Sequence, residues 1–141
     1  MSIHQISVFI ENKYGKLSEI LALLGSEHIR IIAATVADTS EYGILRLIVT
    51  EPEKAYQTLK DNNVSANLAD VLAIRCGASA GSYAETLSRF TQSGLSIEYM
   101  YCFSLKEKSV LILRTNDREA AGDVIRRYNI EYLCKNDLIN L

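Results

Sequence analysis

The sequence lacks several features that would assign it to a functional class. No apolar run approaches the roughly 20 residues that a transmembrane helix needs. The first ten residues contain neither the basic start nor the apolar run of a signal peptide. The formal net charge is −2, so the chain has no general attraction to nucleic acid or to an anionic membrane. We therefore expect a cytoplasmic protein that binds neither nucleic acid nor membrane.

Residues that build metal and redox sites are also scarce. Cys76, Cys102 and Cys134 lack the Cys-x-x-Cys spacing of zinc or redox sites, and we interpret them as small buried apolar residues. His4 and His28 are the only histidines, and neither has a carboxylate or cysteine partner at motif spacing. No nucleophile, base and orienting group occur together in a recognisable order. The sequence thus predicts no catalytic residue, no cofactor and no metal site.

The chain contains an internal repeat. A shift of 66 residues superposes Gly15 on Gly81 and then holds to the end without a gap. Other identical pairs at this shift are Glu19/Glu85, Leu21/Leu87, Ile31/Ile97, Leu45/Leu111, Leu47/Leu113, Ala55/Ala121, Asn63/Asn129 and Leu72/Leu138. The matches fall on positions that periodicity assigns to the core, and the composition is that of a globular protein. We predict two domains, 1–70 and 71–141, with no linker between them.

Both repeats predict the same order of elements. In the first, a strand over 3–10 precedes a helix over 18–26, strands over 29–38 and 44–49, a second helix, and an extended stretch from residue 64. Thr50 is the predicted cap of that second helix, with Glu53 at its third position. In the second repeat Asn116 takes this role, and a fourth strand is predicted over 130–134. Residues 136–141 form either a further strand or a frayed tail.

This βαββαβ order predicts an α+β fold of two ferredoxin-like units in tandem. Right-handed crossovers place both helices of a unit on one face of an antiparallel sheet. The third strand of each repeat carries apolar residues on both faces, and a unit of 66 residues is marginal alone. We infer that the sheets are covered by each other or by a second copy of the chain, and we expect a homodimer.

The loop between the first strand and the first helix is the main candidate for binding. Apolar spacing that begins at Leu17 predicts a helix immediately after Gly15, where the chain turns sharply. The N–H groups of a helix's first turn favour a carboxylate or phosphate. Asn12 adds an amide that both donates and accepts. The alternative is an ordinary strand-to-helix turn without a ligand.

The most aromatic stretch lies in the second strand of the second repeat. Strict alternation places Met100 on one face. The other face then receives Leu95, Ile97, Tyr99, Tyr101 and Phe103. Core packing explains this stretch, and the alternative is that Tyr99 or Met100 borders a pocket formed with the other repeat's loop. An RNA-binding sheet would need a basic surface, which this acidic chain lacks.

Two motifs resemble those of the ACT domain family. They are Asn12-x-x-Gly15-x-Leu17, where the family commonly has Asp/Asn-x-Pro-Gly-x-Leu, and Ser93-Gly94-Leu95-Ser96-Ile97, where it commonly has Gly-Ile-Asn-Ile. The resemblance covers essentially the whole chain and implies a stand-alone tandem ACT protein. It further implies that the chain is not an enzyme but a regulator. Such a regulator binds an amino acid or another small metabolite, often at an interface between two domains.

Departures from the family pattern favour the first loop over the second. Tyr14 replaces the proline and supplies an aromatic ring, whereas Ala78 and Tyr83 replace the Asp/Asn and Leu of the second loop. His28 stands where the second repeat has Gly94, which histidine tolerates if that backbone is left-handed. The ligand-binding residues that the resemblance implies are Asn12, Lys13, Tyr14, Gly15, Lys16, Leu17, Ile31, Ala33, Ser79, Gly81, Tyr99 and Met100.

Two functions remain open from the sequence. In the first, the chain is an amino-acid sensor whose ligand meets the helix after Gly15 and the amide of Asn12. Aromatic, imidazole or branched aliphatic amino acids are favoured, because Tyr14, Leu17 and Ile31 offer flat or apolar surface. In the second, the loops are vestigial and the chain is an assembly module that acts through a partner, such as a metabolic enzyme.

Overall fold

The computed structural model describes residues 1–11, 15–38, 41–105 and 107–141. None of the helices in these ranges is long and apolar enough to cross a membrane. The elements in chain order are β1 (Ile3–Glu11), α1 (Lys16–Ser26), β2 (Ile31–Asp38), β3 (Tyr42–Val49), α2 (Pro52–Asp61), β4 (Ala66–Gly77), α3 (Ala80–Gln92), β5 (Ile97–Leu105), β6 (Lys108–Thr115), α4 (Arg118–Arg127) and α5 (Lys135–Ile139).

The chain divides into two compact units. The first unit is His4–Ala69, and the second unit is Asp70–Leu141 together with Met1–Ile3. Strand β4 therefore begins in the first unit and ends in the second. The predicted α+β fold of two βαββαβ units is confirmed.

Each unit builds an antiparallel sheet with the same pairing. In the first, β3 lies between β1 and β2, and the N–H of Phe9 donates to the carbonyl of Ser65 at 3.0 Å on the other edge of β1. In the second, β6 lies between β4 and β5. The N–H of Arg75 donates to the carbonyl of Glu131 at 2.9 Å. The donors and the acceptors of these two hydrogen bonds are each 66 residues apart, so the two units share this backbone hydrogen bond.

One apolar face of each sheet packs against helices. In the first unit, Ile20 and Leu24 of α1 and Leu59 of α2 are buried in one cluster with strand residues. Those strand residues are Ile6, Val8, Ile10, Leu45, Leu47 and Val49. In the second unit, Phe90 of α3 and Ile125 of α4 are buried with Leu72, Ile74, Leu111 and Leu113. The repeated apolar positions therefore form two cores of the same design.

A bulge changes which face several residues occupy. Pairing of β5 with β6 shifts register between Ile97 and Tyr99, and pairing of β2 with β3 shifts between Ile31 and Ala33. A bulge inserts one extra residue, so alternation changes phase across it. Leu95, Ile97 and Met100 consequently belong to the same core cluster. The prediction that put Leu95 and Ile97 on the face of Tyr99, opposite Met100, is wrong for this reason.

Two predicted helix caps are also wrong. Helix α2 begins after Glu51, because the N–H of Thr50 donates to the carbonyl of Arg30 at 3.1 Å and keeps Thr50 beside the sheet. Helix α4 is capped by Asp117, whose carboxylate accepts from the N–H of Ala120 at 3.0 Å. The side chain of Asn116 instead accepts from the N–H of Ser96 at 2.9 Å.

The C-terminal residues form neither a strand nor a frayed tail. Within the described chain, the predicted strand over 130–134 reduces to a bridge between Tyr132 and Ile74, because α5 begins at Lys135. The N–H of Cys134 donates to Asp137 at 2.9 Å, which caps α5 and lowers the pKa of that carboxyl. Leu138 of α5 is buried.

The cysteines are not the buried apolar residues that the sequence predicted. Cys102 and Cys134 are exposed and Cys76 is half-buried. Cys102 lies on β5, at the end of the strand order of the second unit, and Cys134 occupies the cap position of α5. Edge and cap positions leave a short side chain open to solvent.

A left-handed residue follows each of the four helices that the sequence predicted. His28 and Gly94 have φ of 57° and 83°, so the left-handed backbone under which histidine can stand in for glycine is present. Asn63 and Asn129, with φ of 59° and 51°, repeat this after α2 and α4. In each case the next N–H donates back into the helix, as that of Val64 does to the carbonyl of Leu59 at 2.9 Å. This is the Schellman arrangement, and it returns the chain to the sheet.

Gly15→Ala should lower the free energy of unfolding by about 1 kcal/mol, because Gly15 has φ of +80°, which strains a residue with a side chain. A β-carbon at this position has no atom within 4 Å, so the cost comes from the backbone and not from a steric clash. Gly122→Ala is the control. Gly122 lies inside α4, where a new β-carbon would make ordinary contact with Met1 Sδ at 3.5 Å, so the variant should be neutral or slightly stabilising. Chemical denaturation of both variants checks this, and equal losses at the two positions would contradict the assignment of the loop.

Candidate functional site

The turn into α1 has the backbone that the sequence predicted. Gly15, at φ of +80°, occupies the cap position and brings no side chain to the first turn. Lys16 is the first residue of the helix. Asn12, Lys13 and Tyr14 were predicted ligand contacts, and they lie outside the described residues. The start of α1 nevertheless keeps the N–H groups to which an anion binds.

A groove of about 590 Å³ opens beside this turn, and we call it the first groove. It lies where β1 ends, α1 and β3 begin, and the chain passes from α2 to β4. Its lining residues all belong to the first unit and are Phe9, Ile10, Glu11, Lys16, Tyr42, Asn63, Val64 and Ser65. Ligand pockets are commonly about 300–1,000 Å³, so the size suits a metabolite.

The walls of the first groove differ in character. Ile10 is buried in the core of the first unit, on the face of β1 opposite Phe9 and Glu11, and Val64 packs against that core. Phe9 and Tyr42 are 43% and 45% exposed. Glu11 lies opposite Tyr42 in the pairing of β1 with β3. Lys16 Nζ is 3.8 Å from a carboxylate oxygen of Glu19, so its pairing is loose. Apolar, aromatic, acidic and basic groups therefore meet within one groove.

Other predicted contacts of the first unit do not line the first groove, and Ile31 and Ala33 lie opposite Val49 and Ile48, at the other end of β3 from Tyr42. Leu17 and Ile31 are each 37% exposed, on α1 and β2. Ala33 is buried opposite Ile48. Sequence reasoning missed Phe9, Glu11, Tyr42 and the segment 63–65. Their signals were the alternation of β1, which turns Phe9 away from the core, and the repeat of Asn63 as Asn129.

The predicted contacts of the second unit differ in conformation from those of the first. Ser79 caps α3, since its Oγ accepts from the N–H of Ser82 at 3.1 Å. Gly81 lies inside α3 and has no positive φ, unlike Gly15. Met100 packs against the core, and Tyr99 lies opposite Arg114 in the pairing of β5 with β6. The N-terminus of α3 is thus capped by Ser79 of its own loop.

Charged residues occupy the second-unit positions that match the first groove. The 66-residue shift carries Phe9, Tyr42 and Ser65 onto Arg75, Lys108 and Glu131. Arg75 Nη1 is 3.0 Å from one oxygen of Glu131, and Lys108 Nζ is 4.0 Å from the other. These side chains pair with one another, and the aromatic walls are missing.

A polar cluster lies near the second loop. The hydroxyl of Tyr83 donates to Oγ of the buried Ser109 at 2.6 Å and to Cys102 Sγ at 3.5 Å. The bond with Cys102 raises the pKa of Tyr83, and burial raises the pKa of the Cys76 thiol. Among the described residues, no three His, Cys, Asp or Glu side chains group together to hold a metal. The first unit has aliphatic Leu17 and Val36 where this cluster has Tyr83 and Cys102.

A family model described as an ACT domain pair matches residues 1–141. The chain is an ACT domain pair. ACT domains are typical ligand-binding regulatory domains rather than catalytic ones, as the resemblance implied. A comparison with curated proteins finds no match.

Two solved structures are similar to this ACT domain pair. Protein BT0572 from Bacteroides thetaiotaomicron is 35% identical with a TM-score of 0.94, over 100% of this chain and 98% of that one. The ligand-free regulatory subunit of aspartate kinase from Thermus thermophilus is 12% identical with a TM-score of 0.63, over 88% and 90% of the two chains. At 12% identity the second likeness shows a shared fold alone.

Ser109→Ala should lower the free energy of unfolding by about 1 kcal/mol, because it removes the buried acceptor of the Tyr83 hydroxyl. The exposed Ser96→Ala is the control and should change it by less than about 0.5 kcal/mol. Urea unfolding measures both. No loss at Ser109 would mean that the cluster does not stabilise the second unit.

Proposed function

We propose that this ACT domain pair binds a free α-amino acid in its first unit and regulates a partner in response. The observation that carries the proposal is the first groove, which opens beside the turn at Gly15 in a chain of a ligand-binding family. The N–H groups at the start of α1 and the ammonium of Lys16 suit the ligand's carboxylate. Asn12 supplies an amide for its polar groups.

The surroundings of the loop favour a ligand with an apolar or flat side chain. Leu17 is an exposed apolar residue at the start of α1, directly after the loop, and Tyr14 belongs to the loop itself. Aromatic, imidazole and branched aliphatic amino acids fit this description. The other residues of the first unit proposed to contribute are Lys13, Gly15 and Lys16.

The partner we propose is a metabolic enzyme. In Thermus thermophilus the same fold forms the regulatory subunit of aspartate kinase. This supports a role in which the ACT pair is a separate chain whose ligand state alters an enzyme.

We further propose that two copies of the chain associate through α1 and β2. Leu17, Leu21, Ile31 and Val36 are between 36% and 51% exposed. Their counterparts Leu87 and Ile97 in the second unit pack against that unit's core. The first unit therefore has apolar surface that a second copy would cover.

Calorimetric titration against the proteinogenic amino acids tests the ligand. One of them should bind, and Asn12→Ala should weaken its binding by about 1–3 kcal/mol because a ligand polar group loses its partner. Asn67→Ala, an exposed residue of β4 in the same unit, is the control and should bind normally.

If no amino acid binds or raises the melting temperature, the assembly module is the better function. A ligand specific for the folded state should stabilise by about 2.7 kcal/mol at a hundredfold excess over its Kd. Unchanged binding by Asn12→Ala would place the ligand away from this loop.

Sedimentation velocity tests the association. The wild type should be a dimer at micromolar concentration, and Val36→Lys should be a monomer because it places a charge in the apolar surface. Circular dichroism should show the variant folded. A wild-type monomer under these conditions would remove the dimer from the account.

A further inference from the structure

Two aromatic rings form walls of the first groove. Tyr42 pairs with Glu11 and Ile44 pairs with Phe9, so Phe9 and Tyr42 are diagonal neighbours on one face of the sheet. Diagonal neighbours are about 7–8 Å apart, within reach of aromatic side chains. A ring bound in the groove can contact both at the centroid separations of about 4.5–7 Å that aromatic pairs adopt.

The polar groups of the first groove match a zwitterion. Lys16 lies directly after Gly15, so its ammonium and the N–H groups of α1 attract a carboxylate together. Glu11, at the end of β1, carries the opposite charge that an ammonium requires. A negative charge, a positive charge and aromatic side chains in one groove together suit a zwitterion with an aromatic side chain.

The second unit lacks the aromatic and charged residues of the first groove at the matching positions. Its matching residues are Arg75, Lys108 and Glu131, whose charges pair with one another. Gly77 stands in place of Glu11, and Ser82 in place of Lys16. Neither the aromatic walls nor the pair of rim charges is repeated. The strand pairing is the same in both units, so along the strands the contrast lies in the side chains.

We infer that the first groove selects aromatic α-amino acids, with Phe9 and Tyr42 contacting the ring. Glu11 binds the amino group, and Lys16 binds the carboxylate together with the start of α1. This inference rests on the proposed function and narrows it, because branched aliphatic side chains would not use the aromatic walls. It adds Phe9, Tyr42 and Glu11 as residues that determine specificity.

Titration of the full chain with L-phenylalanine, L-tyrosine and L-tryptophan, and separately with L-leucine, L-isoleucine and L-valine, tests the selection. At least one aromatic amino acid should bind about tenfold or more tightly than any aliphatic one. Phe9→Leu and Tyr42→Leu should each weaken its binding about two- to tenfold. Tyr132→Leu removes an aromatic residue of similar exposure, 44%, from the second unit and should leave binding unchanged.

Ligand analogues assign the two charges. Glu11→Gln should weaken L-phenylalanine but not N-acetyl-L-phenylalanine, which has no ammonium. Lys16→Gln should weaken L-phenylalanine but not L-phenylalaninamide, which has no carboxylate. A merely structural role for either residue would weaken parent and analogue equally, and that result would overturn its assignment.

Different results would contradict the aromatic selection and the proposed function. If a branched aliphatic amino acid binds as tightly as any aromatic one, or if Phe9→Leu and Tyr42→Leu bind normally while Gly15→Ala binds weakly, the selection is wrong and the proposed function stands. If no amino acid binds the wild type at millimolar concentration, the proposed function fails and the inference fails with it.

Discussion

The return of the chain from helix to sheet is the constraint on which both units depend. After α1, α2, α3 and α4 the chain reverses within two residues, which requires a left-handed backbone at His28, Asn63, Gly94 and Asn129. Each is followed by an apolar residue of its unit's core: Ile29 and Leu95 are buried, and Val64 and Ile130 are partly buried. The turn therefore fixes the helix, the next strand and one core residue at once.

The first groove is a consequence of two such backbone positions. Gly15 turns β1 into α1 and places Lys16 at the start of the helix. Asn63 ends α2 and places Val64 and Ser65 beside β1, where Ser65 accepts from the N–H of Phe9 at 3.0 Å. The sequence repeats Asn63 as Asn129, yet the second unit has the ion-paired Arg75, Lys108 and Glu131 at the positions that match Phe9, Tyr42 and Ser65. The strand pairing is the same in the two units, whereas the backbone at Gly15 and the side chains at these positions differ.

The fold could be predicted from the sequence because its determinants are periodic. The spacing of Ile20 and Leu24, the alternation of Ile6 and Val8, and the 66-residue repeat each specify which residues are buried. Features that depend on single tertiary hydrogen bonds could not be predicted. Thr50 is drawn to the sheet by Arg30, and Asn116 by Ser96, so neither caps a helix. The bulges in β2 and β5 could not be recognised from the alternation of polar and apolar residues in the sequence.

The candidate site could be predicted only in part. Gly15 and Lys16 were found because a glycine before an amphipathic helix has a local signature. Phe9, Tyr42 and Ser65 come from three separate segments, and only the pairing of β1 with its neighbours brings them together.

Binding of an amino acid in the first groove is the central claim, and amide chemical shifts test it most directly. The ¹H–¹⁵N spectrum of the full chain, followed during titration with L-phenylalanine, should change most at the amides of Gly15, Lys16 and Ser65. Those of the matching residues Gly81, Ser82 and Glu131 should change little. Changes confined to the second unit, or no changes at saturating concentration, would contradict the account.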